Sequence, residues 1–149
     1  MPTEELNEWQ QSRKELKEWV VGLFPGRGYF VEAGAHDGFT DSITYDLEGY
    51  LGWKGICVEP SSKYQHLETT RPYCKRDNRC LWSSDGKSIE YCEVVGDNTE
   101  MSGVVSTFRD HFRRLDLPHT IRHIETVTLT TLLAEHGAPP VIEFLCLDT

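Results

Sequence analysis

Two short apolar runs, each followed by a turn and then a helical pattern, constrain the fold more than any other feature of the sequence. Residues 29–33 run into a glycine-rich turn, and residues 55–59 end at Pro60. Ser61 can cap the helix that follows the second run. Because consecutive strand–helix units bring their strands together in the same direction, the sequence predicts an α/β fold built on a parallel sheet.

The remaining patterns extend this architecture at both ends. An amphipathic helix is predicted over residues 3–23, before the first strand. The further predicted elements are a helix at 41–50, a strand at 78–83, a hairpin leaving the sheet at 85–95, a loop at 96–103, a helix from Val105 to Leu115, a strand at 121–127, a helix at 129–136 and a buried strand at 141–147. We therefore divide the chain into a lead-in helix, residues 1–27, and one core domain, residues 28–149.

The most apolar strand pattern, residues 141–147, stands at the end of the sequence. A doubly wound parallel sheet normally continues past such a strand. Because a central strand left at an edge exposes unpaired backbone groups, we expect the sheet to be truncated after its fourth core strand.

The turn after the first strand carries the clearest chemical signal, the pattern Glu32-x-Gly34-x-x-x-Gly38. Glycines remove Cβ atoms, so a ligand can lie against the backbone and reach the N–H groups at the start of the following helix. Glu59 follows the second strand, where a carboxylate can accept hydrogen bonds from both ribose hydroxyls of an adenosine. The pattern lacks the third glycine of the dinucleotide fingerprint. It suits S-adenosylmethionine, which has no pyrophosphate and whose positive groups the Glu32 carboxylate can attract.

Four segments of the sequence also carry a family resemblance: FVEAGAHDGFTDS, GWKGICVEPS, NRCLWSSDG and VTLTTLLAEHGAPPVIEFLCLDT. In this order and at similar separations they closely resemble the FkbM-type methyltransferases, over residues 29–149. The resemblance implies the Rossmann-like parallel sheet of class I methyltransferases. The residue patterns add an N-terminal helix and a β-hairpin insertion to this sheet. It also implies S-adenosylmethionine as cofactor and the methylation of a hydroxyl oxygen on a small molecule or glycan.

The same resemblance completes the predicted site. The first motif and the strand ends beside it supply the candidate cofactor-binding residues Glu32, Gly34, Ala35, His36, Asp37, Gly38, Ser42, Glu59, Pro60, Asn78 and Cys80. For Ser42, helix capping is an equally good explanation. Many relatives carry Asn where this sequence has His36, which leaves the contact of that residue open.

Asp148 and His36 are the candidate catalytic residues. Asp148 matches the family's acid at the end of the fourth strand, and both residues are expected at the mouth of the pocket. A neutral hydroxyl acceptor benefits from a general base there. The alternatives are that Asp148 only orients the cofactor and that His36 is an ordinary turn residue. No metal site is predicted, because the histidines lack the spacing of a helical metal pair.

Charge and hydropathy narrow the class of partner. The chain has 15 Lys and Arg against 24 Asp and Glu, a formal charge of −9 that repels a phosphate backbone, so a nucleic-acid partner is disfavoured. No apolar run is long enough to cross a bilayer, and the first twenty residues lack a signal-peptide pattern. We therefore predict a cytoplasmic protein without a membrane partner.

The five cysteines, an odd number without a CxxC pair, are predicted to be reduced.

Two other functional classes stay open at this point. A Rossmann-like binding or scaffold module that has lost catalysis would keep the same sheet and cofactor pocket. A nicotinamide-dependent dehydrogenase would share the sheet and the acid after the second strand, but it needs the glycine that this sequence lacks.

Overall fold

The computed structural model describes residues 7–108 and 116–148, which form helices around two four-stranded sheets. The strands are β1 (Tyr29–Ala33), β2 (Lys54–Val58), β3 (Lys75–Asp77), β4 (Cys80–Leu81), β5 (Ser88–Val94), β6 (Gly103–Val104), β7 (His119–Val127) and β8 (Phe144–Leu147). The α-helices are α1 (Glu8–Leu23), α2 (Tyr45–Gly49), α3 (Leu67–Thr70) and α4 (Leu129–Glu135), and the 3-10 turns are Ser62–His66, Thr99–Met101 and Val105–Thr107.

The first sheet is parallel and has the strand order β3-β2-β1-β8. Ala33 at the end of β1 lies opposite Val58 of β2 and Leu147 of β8, and Val58 lies opposite Asp77. All four strands therefore end at the same edge. The chain winds outward from β1 through β2 to β3, whereas β8 lies on the other side of β1. This reversal is the switch point where parallel α/β sheets bind their ligands.

Both faces of β1 and β2 are buried, which explains why these strands read as continuous apolar runs. Side chains alternate between the faces with a period of two. Phe30 and Cys57 pack with α1, α2 and α3, where Val20, Leu47, Trp53 and Leu67 complete a first core. On the opposite face, Val31, Ile56 and Val58 pack against Val127 and Leu132 of β7 and α4.

The second sheet has the order β4-β7-β5-β6 and stands beside the carboxyl edge of the first. β4 pairs with β7 in parallel, and β5 pairs antiparallel with both β7 and β6. Its small core contains Cys80, Tyr91, Val104 and Ile124. β5 lies outside the parallel sheet, but the hairpin predicted at 85–95 is wrong: the turn at Asp85-Gly86 does not pair β5 with β4, and β5 pairs instead with β6 and with the distant β7.

Several predicted elements are confirmed within a few residues: the described part of the N-terminal helix, β1, β2, β7 and α4. Ser61 caps the turn after β2, since its Oγ accepts a hydrogen bond from the Lys63 amide. Thr128 caps α4 in the same way, by accepting from the Thr131 amide. These elements follow from local patterns and local caps.

Other predicted bounds are wrong. Of the strand predicted at 78–83, only Cys80–Leu81 is a strand, β4, and it belongs to the second sheet; the third strand of the parallel sheet, β3, ends just before the predicted range. The helix predicted at 41–50 shrinks to α2, because Asp41 adopts a φ of +57° and holds the preceding residues in a turn. The helix predicted from Val105 is a single 3-10 turn before extended backbone at Phe108, and its later part lies outside the described residues.

β8 is shorter and less buried than the predicted strand at 141–147. It covers Phe144–Leu147, and its side chains alternate between partly buried and exposed, because it lies at an edge of the sheet that the described residues form. Of the helices in residues 7–108 and 116–148, not one has the length and apolar character that a bilayer crossing requires.

Candidate functional site

A cavity of about 610 Å³ lies at the carboxyl edge of the parallel sheet, between the ends of β1, β2 and β8 and the second sheet. This volume is typical of pockets for small ligands. Its lining residues are Arg13, Glu32, Ala33, Gly34, Ala35, His36, Thr40, Asp41, Ser42, Val58, Glu59, Pro60, Ser61, Cys80, Leu81, Trp82, Tyr91, Thr99, Glu100, Ser102, Gly103, Val104, Thr107 and Asp148.

The turn after β1 forms the centre of the cavity wall. The amides of Gly34 and Ala35 donate to the Val58 carbonyl, at 2.9 and 3.1 Å, and the Asp148 amide donates to the Ala33 carbonyl at 3.0 Å. Gly34 has a φ of +84°, and a Cβ at this position would lie 1.9 Å from the Asp148 carbonyl oxygen. The glycine is therefore required by the close approach of the β8 end, independently of any ligand.

Glu59, at the end of β2, has the geometry of a preorganised acceptor. It is only 4% exposed, and its two oxygens accept backbone hydrogen bonds from His36 at 2.6 Å and Ser61 at 2.8 Å. Each carboxylate oxygen keeps a further lone pair for a ligand hydroxyl. Within the described residues it has no ion-pair partner. Burial and the negative charge of Glu59 together raise the pKa of the Cys80 thiol to about 11.

Glu32, at the end of β1, lines the cavity but is engaged inside the protein. Its carboxylate accepts from Thr44 Oγ1 at 2.7 Å, from Ser42 Oγ at 3.0 Å and from Arg71 Nη1 at 2.9 Å. Arg71 is fully buried and also pairs with Glu48, with Nε 2.5 Å from Oε2. Arg71, which Glu32 shares with Glu48, thus offsets part of the charge of Glu32 and weakens the predicted attraction of a cationic ligand. Ligand binding by Glu32 stays a prediction.

The structure does not bring three of the predicted residues to the cavity. The Asp37 carboxylate closes its own turn by accepting from the Phe39 and Thr40 amides, at 2.9 and 2.7 Å. Gly38 faces α3: its φ is +80°, and a Cβ there would lie 2.7 Å from a Leu67 methyl group. The Asn78 side chain donates to the Glu59 carbonyl at 3.0 Å and supports the end of β2 from behind. These three residues do not line the cavity, and their contacts support the turn and the strand end beside it; ligand contact by them stays a prediction.

The two candidate catalytic residues both reach the cavity. His36, with a φ of +51°, has its Nε2 2.9 Å from Thr99 Oγ1, so it links the turn after β1 to the loop before β6. The Asp148 side chain is 70% exposed. It therefore lies at the open rim, whereas the predicted binding residues Ala35, Pro60 and Cys80 line the interior with Ser42.

Residues that the sequence analysis did not select also build the site. Arg13 of α1 donates from Nη2 to the Asp41 carbonyl oxygen, and the same atom lies 3.8 Å from an Asp148 carboxylate oxygen. The helical pattern predicted α1 but carried no signal that it reaches the cavity. Tyr91, only 7% exposed, lines the opposite wall. Burial, followed by the charge of Glu59, raises the pKa of its phenol. Its inward position follows from the alternation along β5.

No group of three or more His, Cys, Asp or Glu residues in the described part of the chain could hold a metal ion. The donors around the cavity are instead single carboxylates, hydroxyls and backbone amides, which suit a polar organic ligand.

A family model described as the methyltransferase FkbM domain matches residues 32–149. The matched region begins within β1 and includes both sheets, Glu59 and Asp148, whereas α1 and Arg13 lie before it. Neither the curated proteins nor the solved structures contain a significant match to the chain.

Proposed function

The chain belongs to the family of methyltransferase FkbM domains, and we propose on that premise that it uses S-adenosylmethionine to methylate a hydroxyl oxygen of a small molecule or glycan. Family membership, over most of the chain, supports methyl transfer.

The observation that carries the proposal is Glu59. Two backbone amides fix its carboxylate at the end of β2, beside the switch point of the sheet, and it remains open toward the cavity. Vicinal ribose hydroxyls would donate to its two oxygens, which would make charged hydrogen bonds. Ala35, Pro60 and Leu81 supply apolar surface nearby, as a nucleoside base requires. The residues present therefore fit an adenosine-containing cofactor.

When bound, S-adenosylmethionine supplies a methyl group on a sulfonium that is a good leaving group. The task of the protein is then mainly to position the two reactants. The turn at Gly34 and the fixed carboxylate of Glu59 would hold the cofactor against the strand ends. Asp148, at the rim, and His36, at the cavity wall, are the groups that can accept the proton of an acceptor hydroxyl.

The wall formed by residues 99–107 supports a hydroxylated acceptor. Thr99, Glu100, Ser102 and Thr107 line the cavity there. The hydroxyls of Ser102 and Thr107 donate to the Thr99 and Val104 carbonyls, and Thr99 Oγ1 lies 2.9 Å from His36 Nε2. The Glu100 carboxylate and the remaining hydroxyl lone pairs can accept hydrogen bonds from a polyhydroxyl compound, whereas this wall offers little surface to an apolar one.

Calorimetric titration with S-adenosylhomocysteine tests the cofactor assignment. We expect the wild-type protein to bind it and Glu59→Gln to bind about 10-fold or more weakly, because a charged hydrogen bond contributes roughly 1.5–3 kcal/mol. Glu90→Gln, which changes an exposed acid on β5, is the matched control and should bind like wild type. Thermal unfolding of each variant verifies folding. Wild-type affinity in Glu59→Gln would remove this carboxylate from the site.

Methyl transfer itself separates the proposed enzyme from an inactive binding module. Incubation with radiolabelled S-adenosylmethionine and a panel of glycans and small polyols should transfer label to at least one acceptor. A protein that binds S-adenosylhomocysteine but labels no acceptor would favour the binding module. Binding of NAD in place of S-adenosylhomocysteine would favour the dehydrogenase.

A further inference from the structure

Arg13 is the one lysine or arginine among the described residues that line the cavity. It belongs to α1, before the residues that the family model matches, so family membership assigns it no role. Its side chain is 23% exposed and reaches the cavity near the ends of β1 and β8. A cation in this position calls for an explanation because the lining is otherwise acidic.

The neighbours of Arg13 fix its place and its charge environment. Its Nη2 donates to the main-chain oxygen of Asp41 on one side and lies 3.8 Å from Asp148 Oδ2 on the other. The separation from Asp148 is that of an ion pair without a direct hydrogen bond. The two side chains thus present a positive and a negative group next to each other at one end of the cavity.

The helix holds this arrangement firmly. Val20 of α1 is 1% exposed in the core, and Leu16 packs against the same cluster. Lys17 pairs with Asp46 at the start of α2, with Nζ 3.5 Å from the carboxylate, and is not part of the cavity lining. Arg13 is therefore presented to the cavity by a packed element.

We propose that Arg13 and Asp148 together recognise the amino-acid group of the cofactor, with Arg13 binding its α-carboxylate and Asp148 its α-ammonium. Asp148 then orients the cofactor, and His36 remains as the candidate base. This inference rests on the proposed function. The α-carboxylate of the cofactor would be repelled by the carboxylates of Asp41, Glu100 and Asp148, which line the cavity. A cation beside the bound α-carboxylate is needed to offset this repulsion. The planar guanidinium suits this task because it can hold a carboxylate with two parallel hydrogen bonds.

The proposal makes α1 part of the binding site. Glu59 and the apolar wall would bind the nucleoside end of the ligand, and α1 would bind the opposite end across Gly34. Removing Arg13 should therefore affect only ligands that carry the amino-acid group.

Two ligands that differ only in that group provide the test. S-adenosylhomocysteine carries it, whereas 5′-methylthioadenosine has the same adenosine and thioether without it. Calorimetry should show that Arg13→Gln weakens binding of S-adenosylhomocysteine about 10-fold or more and leaves that of 5′-methylthioadenosine within about twofold. Arg13→Lys should recover part of the loss. Lys17→Gln, on the same helix, is the matched control and should bind both ligands like wild type.

The possible outcomes separate this inference from the proposed function. Equal weakening of both ligands by Arg13→Gln, or wild-type affinity for both, would overturn the role of Arg13 and leave the cofactor assignment intact. A wild-type protein that binds neither ligand would overturn the proposed function and this inference with it. Far-ultraviolet circular dichroism of each variant verifies that α1 remains folded.

Discussion

Gly34 illustrates at the level of one residue how the fold and the site depend on each other. Its amide holds β1 to β2, and its missing side chain lets the end of β8 approach. The sequence pattern predicts a glycine whose backbone is accessible to a ligand. The structure shows that backbone from the neighbouring strand fills part of the space.

Gly34→Ala should destabilise the protein by roughly 3 kcal/mol or more. Alanine would have to adopt the left-handed backbone conformation of Gly34, which costs a non-glycine residue about 1–3 kcal/mol. Its Cβ would also clash with the Asp148 carbonyl, and side-chain movement cannot relieve that clash. Urea unfolding measures the loss. Gly86→Ala is the matched control, because Gly86 has a similar φ of +66° but nothing within 4 Å of its Cβ position. Equal losses in the two variants would contradict the steric argument.

At the scale of elements, a buried charge network joins the turn after β1 to α2 and α3. Arg71, which follows α3, contacts Glu32 from β1 and Glu48 from α2, and Glu48 also accepts from the Tyr73 amide at 2.9 Å. Burial alone would lower the pKa of Arg71, but the surrounding anionic groups raise it above its usual value. The guanidinium therefore stays charged and holds three elements together.

Arg71→Met should cost about 3–5 kcal/mol of stability, because it leaves two carboxylates buried without a cation. Chemical denaturation at pH 7 measures this loss. Adding Glu48→Gln to Arg71→Met removes one of the uncompensated charges, so the double variant should recover part of the stability. If the double variant were less stable than Arg71→Met by the full cost of Glu48→Gln alone, the two residues would not be coupled.

Elements whose pattern is local were predicted from sequence, and those defined by distant partners were not. β1, β2 and α4 follow from apolar runs, periodicity and caps. The division of residues 75–81 into β3 and β4 depends on β4 pairing with the end of β7, where Cys80 lies opposite Thr126, more than forty residues later. The site divides in the same way. Glu59 is predicted as a site residue because it ends a recognisable strand, whereas Arg71 lies 39 residues from its partner Glu32, a distance at which spacing carries no information.

For the whole molecule, Asp77 connects the two sheets. It ends β3 in the parallel sheet and is 7% exposed. Its carboxylate accepts from Arg79 Nη2 at 2.7 Å, just before β4, and lies 2.8 Å from Nε2 of His136, which follows α4. Arg79 in turn pairs with Glu135 at the end of α4. The Asp77 carboxylate thus connects the end of β3 with the residues just before β4 and just after α4.

This arrangement gives stability a defined dependence on pH. Burial raises the pKa of Asp77, but hydrogen bonds from Arg79 and His136 outweigh it and lower the pKa to about 2 from its ordinary value of 3.8. Since the folded pKa lies below the unfolded one, the stabilisation is present above about pH 4 and is lost as the pH falls toward 2. Its size follows from the shift and is about 2 kcal/mol.

Urea unfolding at pH 7, 5, 4 and 3 measures this contribution. We expect the wild-type protein to lose stability over the acidic part of this range. Asp77→Asn should be less stable at pH 7 and lose less stability between pH 5 and pH 3, because the group whose protonation opposes folding is absent. Glu90→Gln, at an exposed position on β5, should keep the wild-type slope. If the free energy of unfolding of Asp77→Asn fell with pH as steeply as that of the wild type, the loss of stability in acid would arise from other groups and not from Asp77.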